Sequence, residues 1–200
     1  AWGMRIHYVS RSEYRRRNDS DYLAQVSAQF APCLLIPEGG ANAAGARGCL
    51  AIAGLIRKLA PAARRVVLPV GTGTTLAGIV AGLGDEYEVT GISALKGARD
   101  LQGRVEEVLD ACAVPRRARW RILHDFHCGG FARSNAQLRA FMGEFESIQG
   151  VPLEPVYTGK TLWAVHCLLQ TGQWDSAVPL LVVHTGGLQG RRGYSWLGPE

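Results

Sequence analysis

Long apolar runs are missing from this chain: nothing approaches the roughly 20 residues of a membrane-spanning helix, and the N-terminus lacks a secretory pattern. Cysteine is scarce and unpatterned. Cys33, Cys49, Cys112, Cys128 and Cys167 are odd in number, scattered, and form no CxxC pair. That excludes a disulfide framework or structural zinc site and leads us to expect a reducing, cytoplasmic setting. No aromatic-interleaved stripe or recognition motif accompanies the basic clusters at Arg15–Arg17, Arg64-Arg65, Arg116, Arg117, Arg119, Arg121 and Arg191-Arg192. With a net charge of only +5, these arginines read as solvated faces and loop ends, and no nucleic-acid partner is expected. An initiating methionine is lacking too. The chain opens at Ala1 and runs almost directly into strand-like Arg5–Val9, as a fragment or processed chain would.

What is present describes a globular α/β chain: 200 residues, 47% hydrophobic and 20% charged, enough for a sizeable core. Strand and helix signals alternate. Arg5–Val9 and Cys33–Ile36 read as strands, and Ser20 can cap a helix through Phe30 with Leu23, Val26 and Phe30 on one face. Asn42–Leu59 reads as a helix with Leu55, Ile56 and Leu59 facing inward, stopped by Pro61. Val66–Val70, Val89–Leu95, Trp120–Leu123 and Leu180–His184 read as strands, the last buried, and Leu153–Tyr157 as extended.

Between them lie helices at Leu76–Leu83, around Leu101, Val105, Val108, Leu109 and Cys112, and over Thr161–Leu169. Another, capped by Ser134 or Asn135, carries Leu138, Phe141, Met142, Phe145 and Ile148. Strands separated by helices predict a doubly wound, mostly parallel sheet with right-handed crossovers.

Three Gly-rich turns each follow directly on a predicted strand: Pro37-Glu-Gly-Gly-Ala-Asn42, Gly71-Thr-Gly-Thr-Thr75, and His184-Thr-Gly-Gly-Leu-Gln-Gly190. In an open α/β sheet the carboxyl ends of the strands line the ligand crevice, so three such turns describe one site. Gly71, Thr72, Gly73, Thr74 and Thr75 form an anion cup in which glycines let backbone N–H groups approach an anion at a helix start. A Walker loop would need a lysine after the glycines, and none follows. A dinucleotide fingerprint would need glycine where Leu76 stands and a carboxylate after the next strand, which ends Ala94-Leu95-Lys96. A cup for one terminal phosphate remains, with pyridoxal 5′-phosphate the leading candidate.

The motifs Pro37-Glu-Gly-Gly-Ala-Asn42, Gly71-Thr-Gly-Thr-Thr-Leu-Ala-Gly78, Pro155-Val-Tyr-Thr-Gly-Lys160 and His184-Thr-Gly-Gly187 stand in order over about 150 residues. In that order and spacing they resemble the 1-aminocyclopropane-1-carboxylate deaminase / D-cysteine desulfhydrase family, pyridoxal-phosphate enzymes of fold type II related to tryptophan synthase β. The resemblance covers essentially the whole chain and the C-terminal two-thirds of a family member. It implies that residues 1–33 are the tail end of a small domain and residues 34–200 a large cofactor-binding domain, an N-terminally incomplete version of the fold.

The resemblance also implies roles. Gly71–Thr75 hold the cofactor phosphate, Tyr157, the catalytic candidate, lies near cofactor and substrate, and Thr158 faces the pyridine nitrogen; Thr185, Gly186 and Gly187 contact the cofactor or support its pocket. A threonine rather than a glutamate at Thr158 makes a weaker electron sink and tilts the expected chemistry towards desulfhydrase-like β-elimination. The implied substrate is a small amino acid, giving a 2-keto acid and ammonia, and relatives are commonly homodimers.

In His124-Asp-Phe-His-Cys-Gly-Gly130, the set His124, His127 and Cys128 lacks a fourth ligand at zinc spacing, so no metal is expected. The family has a substrate-bordering loop here, which makes His127 a substrate contact or a structural loop residue. His184, at a strand end, reads first as a satisfied core histidine. Two family segments are absent from the sequence: the Gly-Asn-Lys that carries the cofactor's lysine and the Ser-Asn-His that supplies a catalytic serine. The lysines are Lys58, Lys96 and Lys160, and none matches that position. The chain alone is therefore expected to be inactive, and the alternative reading is a truncated, non-catalytic relative that binds a phosphate-bearing ligand.

Overall fold

Four short apolar segments find one another as parallel strands. β1 (Arg65–Val70), β2 (Glu88–Ser93), β3 (Arg119–Leu123) and β4 (Leu180–Val182) form one sheet in the order β3-β2-β1-β4. The computed structural model describes residues 3–114 and 117–197; Arg116 of the basic cluster lies outside the described residues. β1 pairs with β2 from Arg65↔Glu88 to Val70↔Ser93, and with β4 from Arg65↔Leu180 to Val67↔Val182. The helices are α1 (Arg11–Arg15), α2 (Ser20–Gln29), α3 (Ala43–Leu59), α4 (Thr74–Gly82), α5 (Leu101–Cys112), α6 (Ala136–Gln149) and α7 (Thr158–Gln170).

Alternation along β1 divides the core. Val66, Leu68 and Val70 face a layer that includes Ala53, Leu76, Ile79, Val105 and Leu109. Val67 and Ile92 face Ala164, Val165, Leu168 and Trp174 on the other side. Helices thus cover both faces, the doubly wound architecture of the sequence reading. Strand order runs outward through β2 and β3, then returns to the far side of β1. The direction reverses between β1 and β4, so the loops after these two strands flank the switch point where ligands bind in such sheets.

Helix α4 is largely enclosed, with seven of its nine residues buried. A Cβ at Gly78 would lie 2.4 Å from the Ala46 carbonyl oxygen, and one at Gly82 2.6 Å from the Ala53 Cβ. Only glycine permits so close a crossing, and this corrects the face assigned to α3. The small Ala46 and Ala53 point inward beside Ile56, while Leu55 and Leu59 are 54% and 75% exposed.

The chain divides after Glu38 into two units. In the first, Ser10 and Glu13 cap α1 reciprocally and Asp19 caps α2. Glu38 accepts hydrogen bonds from Tyr14 (2.6 Å) and Arg17 (2.8 Å). The strands expected at Arg5–Val9 and Cys33–Ile36 do not form. Neither segment has a ladder partner among the described residues, and without one β-branched propensity does not produce a strand. Tyr8 and Leu34 are 91% and 87% exposed accordingly.

Further elements are adjusted. β4 stops at Val182 and is only half-buried, because it is an edge strand with β1 on one side. Leu153–Tyr157 forms no strand; it turns into α7, which starts at Thr158 instead of Thr161. α4 likewise begins two residues early, at Thr74. Asn135, not Ser134, caps α6 by accepting from the Leu138 N–H at 2.8 Å. On that helix Leu138, Phe141 and Met142 are buried and Ile148 is exposed.

Candidate functional site

At the carboxyl end of β1 the chain passes Gly71 and reaches Gly73, which takes a left-handed φ of 93° as N-cap of α4. No side chain caps this helix. The first-turn N–H groups of any helix lie outside its ladder, and here they crown the switch point beside the positive end of the dipole. A small cavity of about 50 Å³ opens over residues 69–76. The Thr72 and Thr74 hydroxyls meet at 3.0 Å inside this turn, and Thr74 is buried while Thr72 and Thr75 are half-buried.

Two other segments close on the cup. A Cβ at Gly39, itself at φ 63°, would fall 2.5 Å from the Thr72 hydroxyl oxygen. The Tyr157 ring lies against Gly71, where an added Cβ would be 3.1 Å from both ring carbon Cε1 and the phenol oxygen. Close approach thus favours glycine at Gly39, where the left-handed φ also disfavours a side chain, and leaves little room at Gly71; the cup suits a phosphate: backbone donors, an uncapped helix start and no carboxylate among the residues lining it.

Glu154, which sequence reasoning passed over, organises the far wall. It is 2% exposed, and its carboxylate accepts from the N–H groups of Val156 (2.7 Å), Tyr157 (2.6 Å) and Thr158 (2.6 Å). The Thr158 hydroxyl accepts in turn from the Glu154 N–H at 3.0 Å. A buried carboxylate thus caps α7 and fixes the backbone that carries Tyr157 and Thr158. Thr158 is itself buried, its hydroxyl held against the Glu154 backbone. Gly187, at φ 83°, packs on the Glu154 side chain, where an added Cβ would be 3.5 Å from Cγ.

The turn after β4 reaches the same sheet edge, because Val183 continues the ladder by donating to the Val67 carbonyl at 2.8 Å. His184 is exposed, not a core histidine: its Nδ1 accepts from the Gly186 N–H (3.2 Å) and its Nε2 donates to the Pro152 carbonyl (3.1 Å). Thr185 is exposed and Gly186 half-buried at φ 80°.

His127 lies in the loop after β3, with Nδ1 accepting from the Gly129 N–H at 3.0 Å. Phe131, at the end of this loop, meets the Tyr157 ring edge-on at 6.1 Å. Among the described residues no group of three His, Cys, Asp or Glu side chains is arranged to hold a metal ion. Several of the clustered arginines are held in ion pairs: Arg17 with Glu38, Arg117 with Glu106 and Asp110, Arg121 with Glu88, and Arg191 with Glu146.

Lys160 is the other surprise. It is 1% exposed and donates from Nζ to the carbonyls of Gly130 (2.8 Å) and Ala94 (3.4 Å). Burial pushes its pKa below the lysine value of 10.5, opposed by the charges of Cys128 and Glu154. A depressed folded pKa means that the unfolded chain binds more protons between the folded value and 10.5. Stability from this group therefore rises with pH through that window. Burial raises the Cys128 thiol pKa while Lys160 opposes the rise, so removing Lys160 moves Cys128 in the direction that adds to the same trend. Urea unfolding of the native chain and Lys160→Met, from about pH 7 to about pH 10, should show their difference moving in the native chain's favour. A difference independent of pH would contradict the assignment.

Comparisons with known proteins bear on the family and the fold. A family model described as pyridoxal-phosphate dependent enzyme matches residues 1–186. A putative 1-aminocyclopropane-1-carboxylate deaminase of Pyrococcus abyssi is 29% identical over 167 residues, covering 78% of this chain and 50% of that protein. D-cysteine desulfhydrase of Klebsiella pneumoniae subsp. pneumoniae is 28% identical over 173 residues, covering 82% and 53%. The chain thus spans about half the length of the curated relatives it matches. Among solved structures, an ACC deaminase homologue superposes with a TM-score of 0.78 at 21% identity, over 96% of this chain and 62% of that one. The processed form of threonine deaminase isoform 2 from Solanum lycopersicum gives 0.51 at 12% identity, over 88% and 56%. These two likenesses establish the fold, that of fold type II enzymes.

Proposed function

Since the chain belongs to the family of pyridoxal-phosphate dependent enzymes, we infer that it provides the phosphate cup and ring-side walls of a lyase or deaminase. The full-length protein would convert a small amino acid, D-cysteine or an aminocyclopropane acid, to a 2-keto acid and ammonia. The observation that carries this reading is the Gly71–Thr75 turn at the β1/β4 switch point with the Tyr157 ring against Gly71.

Bound pyridoxal phosphate supplies a conjugated ring that draws electrons from the bonds at an amino acid's α-carbon. The chain's own residues do the rest. Backbone N–H groups of Gly71–Thr75 bind the phosphate, aided by the α4 dipole. Tyr157, whose ring lies against Gly71, would border the cofactor and the amino acid. Thr158, its hydroxyl held by the Glu154 backbone, would offer the pyridine a neutral neighbour instead of a carboxylate. Thr185 and Gly186 back the pocket, and His127 borders the substrate. All five cysteines are free thiols, which suits a reducing, cytoplasmic setting, and a homodimer is adopted by analogy with relatives.

Calorimetric titration of the 200-residue chain with pyridoxal phosphate and with pyridoxal tests the cup. At least tenfold tighter binding of the phosphorylated form is expected, about 1.4 kcal/mol or more. Equal affinities would sink the reading. Pyruvate release from D-cysteine by the same chain decides the rest. Lys160 commits its amine to two backbone carbonyls, so binding without turnover is expected of this chain in isolation. Robust turnover would overturn that expectation.

A further inference from the structure

Between Cys128 and Ala132 the backbone enters the left-handed region four times: Cys128 (φ 50°), Gly129 (100°), Gly130 (123°) and Ala132 (55°). Non-glycine residues there are strained, and such conformations persist only where surrounding contacts hold them. Side chains from two other segments reach carbonyls of this loop. The Gly130 carbonyl accepts from Lys160 Nζ at 2.8 Å as well as from the Arg133 N–H at 3.1 Å. The Ala132 carbonyl accepts from the Tyr194 hydroxyl at 3.1 Å.

Phe131, bracketed by these two pinned carbonyls, is 57% exposed. It is not held by burial, yet it meets the Tyr157 ring edge-on. Lys160 stands three residues after Tyr157, so one turn of α7 contributes both the ring and the clamp that fixes its neighbour. Among the described residues no carboxylate stands at salt-bridge distance from Lys160; burying an ammonium so is costly, and a mere space-filler would be apolar.

We propose that Lys160 is a positioning residue: its ammonium clamps the Gly130 carbonyl to the end of β2 and thereby sets Phe131 against Tyr157, fixing the amino-acid side of the site. The role of Tyr157 rests on the function proposed above; the clamp itself does not.

The test uses the whole chain labelled with 3-fluorotyrosine. Its six tyrosines give ¹⁹F resonances, with that of Tyr157 identified by its loss in Tyr157→Phe. In Lys160→Met the Tyr157 resonance should move towards its position in Phe131→Ala while those of Tyr8, Tyr14, Tyr22 and Tyr87 stay, and the double variant should move the Tyr157 resonance no further than Phe131→Ala. Trypsin should cut after the exposed Arg133 about tenfold faster in Lys160→Met, as local opening becomes easier. A Tyr157 resonance that moves in Phe131→Ala but not in Lys160→Met, or additive shifts in the double variant, would overturn the proposal.

If Lys160→Met does not fold, the unsubstituted protein still decides. With ¹⁵N-lysine, one of three ammonium signals should exchange slowly and survive Lys58→Arg and Lys96→Arg, both exposed positions. Three signals exchanging at the solvent rate would refute the clamp. None of these readouts needs cofactor or turnover, so failure to bind pyridoxal phosphate would strike the proposed function and leave the clamp standing.

Discussion

Glu154→Ala is expected to lower the unfolding free energy by about 3–5 kcal/mol, below the full sum for three N–H groups that lose a charged acceptor. The carboxylate accepts three N–H groups within 2.7 Å at 2% exposure. Truncation leaves those donors at the start of α7 without their acceptor, and each buried orphan costs about 1–3 kcal/mol. Relief of the carboxylate's own desolvation cost returns part of this, which keeps the net below the sum. A void beside Gly187 also opens, since that turn packs on the Glu154 side chain.

Glu154→Gln should cost about half as much. One amide oxygen can still accept from Tyr157 and Thr158, but the amide NH₂ then faces the Val156 N–H, donor against donor. Urea unfolding measures both: a lowered midpoint at unchanged slope is the signature of lost stability without altered compactness. A change below about 1 kcal/mol for Glu154→Ala would mean that solvent reaches these N–H groups and the cap is dispensable.

How far the sequence led differs from element to element, for physical reasons. The β1–cup–α4 unit was legible because an apolar run followed by Gly-Thr-Gly-Thr-Thr has few other solutions, and the doubly wound order followed from alternation. The start of α4 was misjudged by two residues. Thr74 and Thr75 have poor helix propensity, but Gly73 at φ 93° turns the chain into the helix ahead of them. The inward face of α3 is not the one its large apolar residues predict; the contact is made by alanines against Gly78 and Gly82, where small size, not hydrophobicity, is the signal.

Glu154 and Lys160 were invisible as organisers for a related reason. Both are charged, and charge predicts exposure. Only the spacing from Glu154 to Thr158, an acid shortly before a helix and a hydroxyl in its first turn, hinted at the cap. Nothing in the sequence marks Gly130 as the partner of Lys160, 30 positions away. The strands expected at Arg5–Val9 and Cys33–Ile36 failed on the same principle: pattern specifies a face, but a ladder needs a neighbour.

Gly73→Ala should abolish what the cup does while leaving most of the sheet intact. The added Cβ would lie 2.4 Å from Val105 Cγ2, and Val105 is 1% exposed in the core, so it has little room to yield. An L-residue at this φ adds about 1–2 kcal/mol of backbone strain. Together these predict a loss of about 2–4 kcal/mol in urea unfolding. If relaxation instead tilts the first turn of α4, its N–H groups leave the phosphate, and affinity for pyridoxal phosphate falls on the order of a hundredfold, about 2.7 kcal/mol. Gly71→Ala provides the contrast, because its Cβ meets the Tyr157 ring at 3.1 Å, a side chain with freer space to shift. Adding Val105→Ala to Gly73→Ala separates the two causes. It removes the clash but not the left-handed strain, so it should restore stability partly and affinity little. Full recovery of affinity would show that steric displacement, not the glycine's backbone conformation, was what the cup could not tolerate.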